Sequence, residues 1–383
     1  MKQFDIKLKE RYFRAESITG NEQYIFYKTK RYNCVIQVER SSGAANLIRL
    51  PEEYDQVIGA YRVLEYYEGF LYVFPFGAKD ILKINIEDKT MERIPLPKEY
   101  LEAETGNYVI QSYLWGETFV LYGYGPEILL FHTKSNSFEH ITGIKDLFPL
   151  EFSPNVWFGD SALKESILYT YLATTKSFLI TDLDKKQIKK CDVPIEGNFT
   201  FFDGICIQED SIWFIPREED KPLHLCKWDV SQNAVCEYEC STVWNRGVFP
   251  YGWCCYYNDR IWSLPVRAEE GLCYSVKNQV AEILQDIPRW TFSEMESQKG
   301  AGILNYSSVY FTPDHKMISV HIGTGAIVEV DLSTRRSKTY EIQFSREHKN
   351  IFSGYEWKYI GKKQLYYESK QFGLEDYLGL LLV

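Results

Sequence analysis

One phrase returns along the chain at nearly constant spacing. It is an apolar residue followed by an aromatic or second apolar residue, as in SIWFIPR (211–217) and RIWSLPV (260–266). Aligned copies are Ile25-Phe26, Leu71-Tyr72, Phe119-Val120, Leu168-Tyr169, Ile212-Trp213, Ile261-Trp262, Val309-Tyr310 and Leu365-Tyr366. From position 26 to 366 the steps are 46, 48, 49, 44, 49, 48 and 56. After each of the first seven copies comes an apolar run ending near an acid or polar residue, then a polar turn, then a short apolar strand. ILKINIEDKTMERIPLP (81–97) and IVEVDLSTRRSKTYEI (327–342) are examples.

A period of 44–50 residues built only from strands is that of a propeller blade, a four-stranded antiparallel meander A to D. Turn chemistry agrees. Glu68-Gly69, Trp115-Gly116, Glu209-Asp210 and Asn258-Asp259 fall between A and B, and Glu87-Asp88-Lys89, Ser231-Gln232-Asn233 and Ser333-Thr334-Arg335 between C and D. The phrase is then strand B, with its aromatic on the next blade and its Pro at the strand end, where no ladder hydrogen bond is lost. Aromatics at 16%, with 29 Tyr and 9 Trp, suit such sheets.

We therefore expect an all-β fold: a single β-propeller domain over residues 1–383. Seven full units span about 11 to 342, and GYEWKYIGKKQLYYES (354–369) adds an A–B hairpin. With FDIKLK (4–9) as a spare strand, the main expectation is eight blades of about 48 residues, closed by pairing N- and C-terminal strands in one blade. Seven blades with an appendage is the alternative. VYFTPDHKMISVHI (309–322) reads either as B with an insertion or as A then B, and GLEDYLGLLLV (373–383) as a strand or a short helix.

The stretch GFLYVFPFGAKDILKINIEDKTMERIPL, ending at Leu96, resembles a kelch repeat in its LYVF strand, its D-K-T turn and its last short strand. The Gly-Gly pair of that family is replaced by Pro75-Phe76, and its late Trp by Met91 or Glu92. FTPDHKMISVHIGTGAIVEVDL looks more like a WD40-type repeat. The resemblance implies the fold and no activity. Kelch-type propellers are mostly binding scaffolds, with a minority of enzymes.

Net charge is −10, without a run of five Lys or Arg, which argues against nucleic acid. No stretch approaches 18 apolar residues, so no membrane span is expected. The start has no apolar signal region, and nine Cys lack zinc-knuckle spacing, so free thiols in a reducing cytoplasm are expected. The six His are dispersed, Gly323-Thr324-Gly325 precedes a strand rather than a helix, and no G-x-S-x-G elbow is present. No cofactor, metal or catalytic residue is expected, and the enzyme question leans to no.

The D–A and B–C connections share the face where many loops converge. The D–A segments 153–160, 196–204, 241–253, 286–302 and 345–357 carry Trp157, Asp160, Phe202, Asp203, Trp244, Arg246, Tyr251, Trp253, Arg289 and Trp290. Two B–C loops add Arg217 and Arg267 at matching positions. Trp and Tyr beside Arg, Asn and Asp clamp a peptide or stack on sugar. The expected function is a non-enzymatic recognition scaffold for a protein or peptide. The alternative is a carbohydrate-active propeller, a binder or an epimerase, mutarotase or lyase acting on an acidic sugar, with Asp160, Asp203, Glu294 and Arg246 as its polar groups. A third reading is a structural subunit.

Overall fold

A computed structural model describes residues 14–29, 32–55, 57, 59–101, 109–123, 128–147, 158–172, 176–195, 202–216, 221–245, 251–266, 268, 270–284, 286–288, 306–322, 324–348 and 351. Seven four-stranded antiparallel sheets follow one another, each with its strands in sequence order. Blade 1 holds β1 (Ala15–Gly20), β2 (Tyr24–Thr29), β3 (Cys34–Glu39) and β4 (Ala45–Arg49). Blade 2 holds β5 (Tyr61–Tyr67), β6 (Phe70–Pro75), β7 (Asp80–Asn85) and β8 (Met91–Pro95). Blade 3 holds β9 (Val109–Trp115), β10 (Thr118–Gly123), β11 (Ile128–His132) and β12 (Ser137–Ile141). Blade 4 holds β13 (Phe158–Lys164), β14 (Ile167–Leu172), β15 (Ser177–Asp182) and β16 (Gln187–Asp192). Blade 5 holds β17 (Phe202–Gln208), β18 (Ser211–Pro216), β19 (Lys221–Asp229) and β20 (Ala234–Asn245). Blade 6 holds β21 (Tyr251–Tyr257), β22 (Arg260–Pro265), β23 (Gly271–Ser275) and β24 (Val280–Leu284). Blade 7 holds β25 (Tyr310–Phe311), β26 (Lys316–Val320), β27 (Ala326–Asp331) and β28 (Ser337–Glu341).

The repeated phrase is strand B in the first six blades, and its chemistry follows from the pleat. Successive side chains of a strand point to opposite faces. The first residue of the phrase therefore fills the seam behind its blade and the second the seam ahead. Leu71 packs with Phe26 and Val35 of blade 1, while Tyr72 packs with Phe119 and Phe131 of blade 3. Ile261 likewise joins Trp213 of blade 5, and Trp262 joins Met317 and Val328 of blade 7. Trp213 and Trp262 satisfy their indole N–H the same way, reaching back to Gln208 Oε1 at 2.8 Å and the Tyr257 carbonyl at 3.1 Å.

Pro75, Pro216 and Pro265 end β6, β18 and β22. The ladders to β7, β19 and β23 have already stopped at Val73, Phe214 and Ser263, so no donor is missed. The A–B turns Glu68-Gly69 and Asn258-Asp259 have both residues at positive φ, which matches the twist of a two-residue hairpin. The Asp that ends the C strand of blades 4, 5 and 7 is a turn device. Asp182, Asp229 and Asp331 each accept a backbone N–H from the following turn, from Lys185, Gln232 and Thr334 respectively.

Blade number and closure differ from the main expectation. Blade 7 packs directly on blade 1: Ile318, Val320 and Ile327 share a buried cluster with Tyr27, Ile36 and Val38. Arg40 pairs with Glu329 across the same seam at 2.8 Å. The ring is therefore complete at seven, the alternative reading, and leaves no gap for an eighth blade. Among the described residues, the first and last strands, β1 and β28, lie in different blades. Instead, the chain leaving β28 runs beside the β3–β4 turn, with Gln343 N–H on the Gly43 carbonyl at 2.9 Å and Ala45 N–H on the Gln343 carbonyl at 3.1 Å.

Of the two readings of 309–322 the structure holds A then B, which displaces the seventh copy of the phrase. Tyr310 belongs to β25, an A strand, and Met317-Ile318 of β26 occupies the B position, filling the 6/7 and 7/1 seams. Segments 4–9, 354–369 and 373–383 lie outside the described residues. All nine cysteines are free thiols.

Candidate functional site: the channel belt and the loop face

The first strand of each blade is innermost, so β1, β5, β9, β13, β17, β21 and β25 surround the central channel. Their pairing with the second strands carries an irregularity near the D–A end in each of the first six blades, between Ala15 and Ser17, Tyr61 and Val63, Val109 and Gln111, Phe158 and Ser161, Asp203 and Cys206, and Tyr251 and Cys254. Such bulges free backbone groups and re-aim side chains. Along these inner strands, backbone and side-chain polar groups meet polar side chains of the neighbouring blade.

Ser17 and Thr19 accept the N–H groups of Leu64 and Tyr66 at 2.9 and 3.2 Å. Glu65 accepts from the Ser112 hydroxyl at 2.7 Å. Gln111 donates to Asp160 at 3.1 Å and accepts from Ser161 at 2.7 Å, and Tyr113 donates to the Ser161 carbonyl at 2.6 Å. Asp160 accepts the Ile205 N–H at 3.3 Å. Ser307 and Tyr310 of blade 7 donate to the Ala15 and Gly20 carbonyls at 2.7 and 2.9 Å. Five adjacent blades, 1 to 5, are thus tied to one another near the axis, and blade 7 is tied to blade 1. Beyond blade 5 the belt changes character. Gly204, at φ +61, lies so close to blade 6 that a Cβ would sit 2.5 Å from the Cys254 sulfur and 2.6 Å from the Gly252 carbonyl.

Two carboxyls of this belt are shifted. Burial pushes Glu65 up to about 7, against the hydrogen bond from Ser112. Burial likewise raises Asp160, partly offset by Gln111 and by the backbone N–H groups of Ile205, Ser161 and Gly204. On the rim of blade 1, burial lowers Lys28 to about 8, and its ammonium donates to the carbonyls of Thr29 at 2.7 Å and Tyr32 at 2.5 Å.

Of the residues expected on the D–A/B–C face, Asp160 lies in β13 and enters this belt. Tyr251 is buried between blades 5 and 6, with its hydroxyl on the Glu270 carbonyl at 2.9 Å. Trp253 is half-buried beside Val266 and Ile322, in the seam between blades 6 and 7. Phe202 and Asp203 open β17, and Trp244 nears the end of β20. These six sit on strands rather than in loops, because the inner strands and β20 extend further towards that face than the repeat implies. Trp157, Arg217, Arg246, Arg267, Arg289 and Trp290 lie outside the described residues. Sequence reasoning missed Ser17, Thr19, Glu65, Gln111, Ser112 and Ser161. Their only signal was polar residues recurring one repeat apart on A strands.

Blade 5 departs from the others at this face. The β18–β19 ladder ends at Phe214–Cys226, yet β19 continues back to Lys221, paired only with β20. Residues Lys221–Leu225 thus form an outer two-stranded ribbon roughly 16 Å long at the usual strand rise. Between the pairs Leu223–Cys240 and Pro222–Trp244 the residues Ser241, Thr242 and Val243 bulge out, and Asn245 pairs with Lys221 at the ribbon's end.

No protein-family model matches the chain, and no curated protein sequence matches it. Among solved structures it is similar in fold to a streptogramin B lyase (TM-score 0.56, 13% identity, covering 80% of this chain and 90% of that one). It is also similar to U3-55K (TM-score 0.54, 12% identity, 81% and 88%) and to a chain of the mitotic checkpoint complex (TM-score 0.54, 11% identity, 87% and 88%). At these identities the comparisons establish the fold, a single seven-bladed β-propeller.

Proposed function

We propose that the chain is a divergent kelch-like recognition propeller of a reducing cytoplasm, binding a protein or peptide partner on its D–A/B–C face. The observation that carries this is the blade 5 ribbon. It carries β19 and β20 beyond the β18–β19 ladder on that face, and Trp244-Asn245 end β20 there, with Arg246 next in sequence. Trp and Arg are residue types that anchor protein interfaces, because they cover much area at small entropic cost. Similar folds include both a lyase and a chain of a checkpoint assembly, so the fold alone carries either class. Asp160 supports a non-catalytic reading, because its hydrogen bonds brace blades 3, 4 and 5.

The test is capture of a partner from native lysate by the wild type and by the Trp244→Ala/Arg246→Ala/Trp290→Ala variant, after circular dichroism shows the variant folded. Loss of a captured partner in the variant supports the reading. Equal capture by both contradicts it. A second reading, action on an acidic sugar, rests on Glu65, a channel carboxyl held near neutrality. A glycan array that retains acidic glycans on the wild type and loses them on Glu65→Gln would favour it.

A further inference from the structure

On the opposite face, where the A–B and C–D turns emerge, a cleft of about 710 Å³ follows the seam between blades 1 and 7. Its most buried members are Arg40 and Glu329, joined through both guanidinium arms, with the Tyr340 hydroxyl on the same carboxylate at 2.8 Å. Lys316 is paired with Asp314. Asp331 is occupied by its own turn, accepting the N–H groups of Ser333 and Thr334 at 2.9 and 2.8 Å. Lys338 holds its ammonium 5.1 Å from the Tyr340 ring centre. Two lining charges are left over. The side chains of Arg336 of blade 7 and Glu22 of blade 1 make no hydrogen bond or ion pair with any of the described residues, and both are exposed.

We infer that this cleft is a binding site for a small zwitterion, a ligand with a carboxylate or phosphate at one end and an ammonium at the other. The volume falls in the range of small-molecule sites, but the lining residues are all charged or hydroxyl-bearing, which favours a charge-bearing ligand over a hydrophobic one. The lining balances: Glu22, Asp314, Glu329 and Asp331 against Arg40, Lys316, Arg336 and Lys338. A ligand with one sign of charge would leave the other side of the cleft uncompensated. Arg336 offers a planar fork to a carboxylate or phosphate, and Glu22 accepts an ammonium. The buried Arg40–Glu329 pair fixes the base on which these two groups stand. The site is remote from the recognition face and does not depend on it.

The probe is triglycine, with its N-acetylated and C-amidated forms as controls, titrated calorimetrically into the full chain. Saturable binding of triglycine is expected. Arg336→Gln and amidation should each weaken it about tenfold, as the loss of one charge-assisted hydrogen bond implies. Glu22→Gln and acetylation should each do the same. Combining Arg336→Gln with the amide should add little, because both remove one contact. Both substituted residues are exposed, so the variants are expected to melt with the wild type. Absence of saturable triglycine binding, equal binding of the blocked peptides, or binding unchanged in both variants would overturn the proposal.

Discussion

Arg40 of the first blade holds Glu329 of the last by two hydrogen bonds, Nε to Oε1 at 2.9 Å and Nη2 to Oε2 at 2.8 Å, across 289 residues of chain. Both side chains are largely withdrawn from solvent, at 14% and 9% exposure. Removing one partner leaves the other charge stranded in the seam that closes the ring. Arg40→Met should therefore cost about 3 kcal/mol, read as a lower urea midpoint, while a double replacement by apolar residues should recover part of it. Burial alone would raise the Glu329 carboxyl, yet Arg40 and Tyr340 together hold it below its usual value. Its contribution is then present above the unfolded value of about 4.3 and is lost as pH falls through the lower folded value. The difference between wild type and Arg40→Met should shrink in acid.

Asp160 ties three blades through one carboxylate. Asp160→Ala would leave the Gln111 amide and the Ile205 N–H without their partner near the axis, at a cost of about 2–3 kcal/mol. Asp160→Asn keeps one acceptor oxygen and should cost clearly less. Equal losses for the two substitutions, measured by urea unfolding, would show that the brace is not carried by accepted hydrogen bonds.

Glu65 titrates in the opposite sense to Glu329. Its folded value is raised to about 7. The folded state thus binds a proton more tightly than the unfolded chain, and stability falls as pH rises from the unfolded value of about 4.3 to that folded value. Glu65→Gln should flatten the melting temperature across this window and leave the variant more stable than wild type at about pH 8. A wild type and variant that run parallel across the window would contradict the assignment.

The turn from β23 to β24 holds Gln279 at φ +53, a left-handed conformation that costs a side-chain-bearing residue about 1 kcal/mol or more. Glycine removes that cost and adds a smaller entropic one. Gln279→Gly should raise stability by about 0.5 kcal/mol, visible as a small rise in melting temperature.

Much of this fold was legible because a propeller seam needs two side chains from each B strand, one on each face. Ile212-Trp213 and Ile261-Trp262 meet that demand in adjacent residues, and six copies of the phrase locate six blades. The seventh was misplaced because Met317-Ile318 meets the same demand without an aromatic, while Val309-Tyr310 resembles the phrase from an A strand. Seven full units were legible, but whether they close the ring without an eighth was not. It depends on whether Ile318 and Val320 reach Tyr27 and Ile36, a contact between chain ends that no local pattern encodes. The channel belt escaped for another reason. Ser17, Ser112 and Ser161 look like solvent-facing strand residues until the neighbouring blade brings the Leu64 N–H, the Glu65 carboxylate and the Gln111 side-chain oxygen to their hydroxyls.

The proposed recognition surface is the D–A/B–C face around the blade 5 ribbon. Hydrogen–deuterium exchange of the full chain, alone and saturated with the captured partner, tests it directly. Slowed exchange is expected at Lys221–Leu225 and at Cys240–Asn245, with the A–B and C–D turns unchanged. Protection confined to those turns or to the outer strands, with the ribbon exchanging as in the free protein, would contradict it.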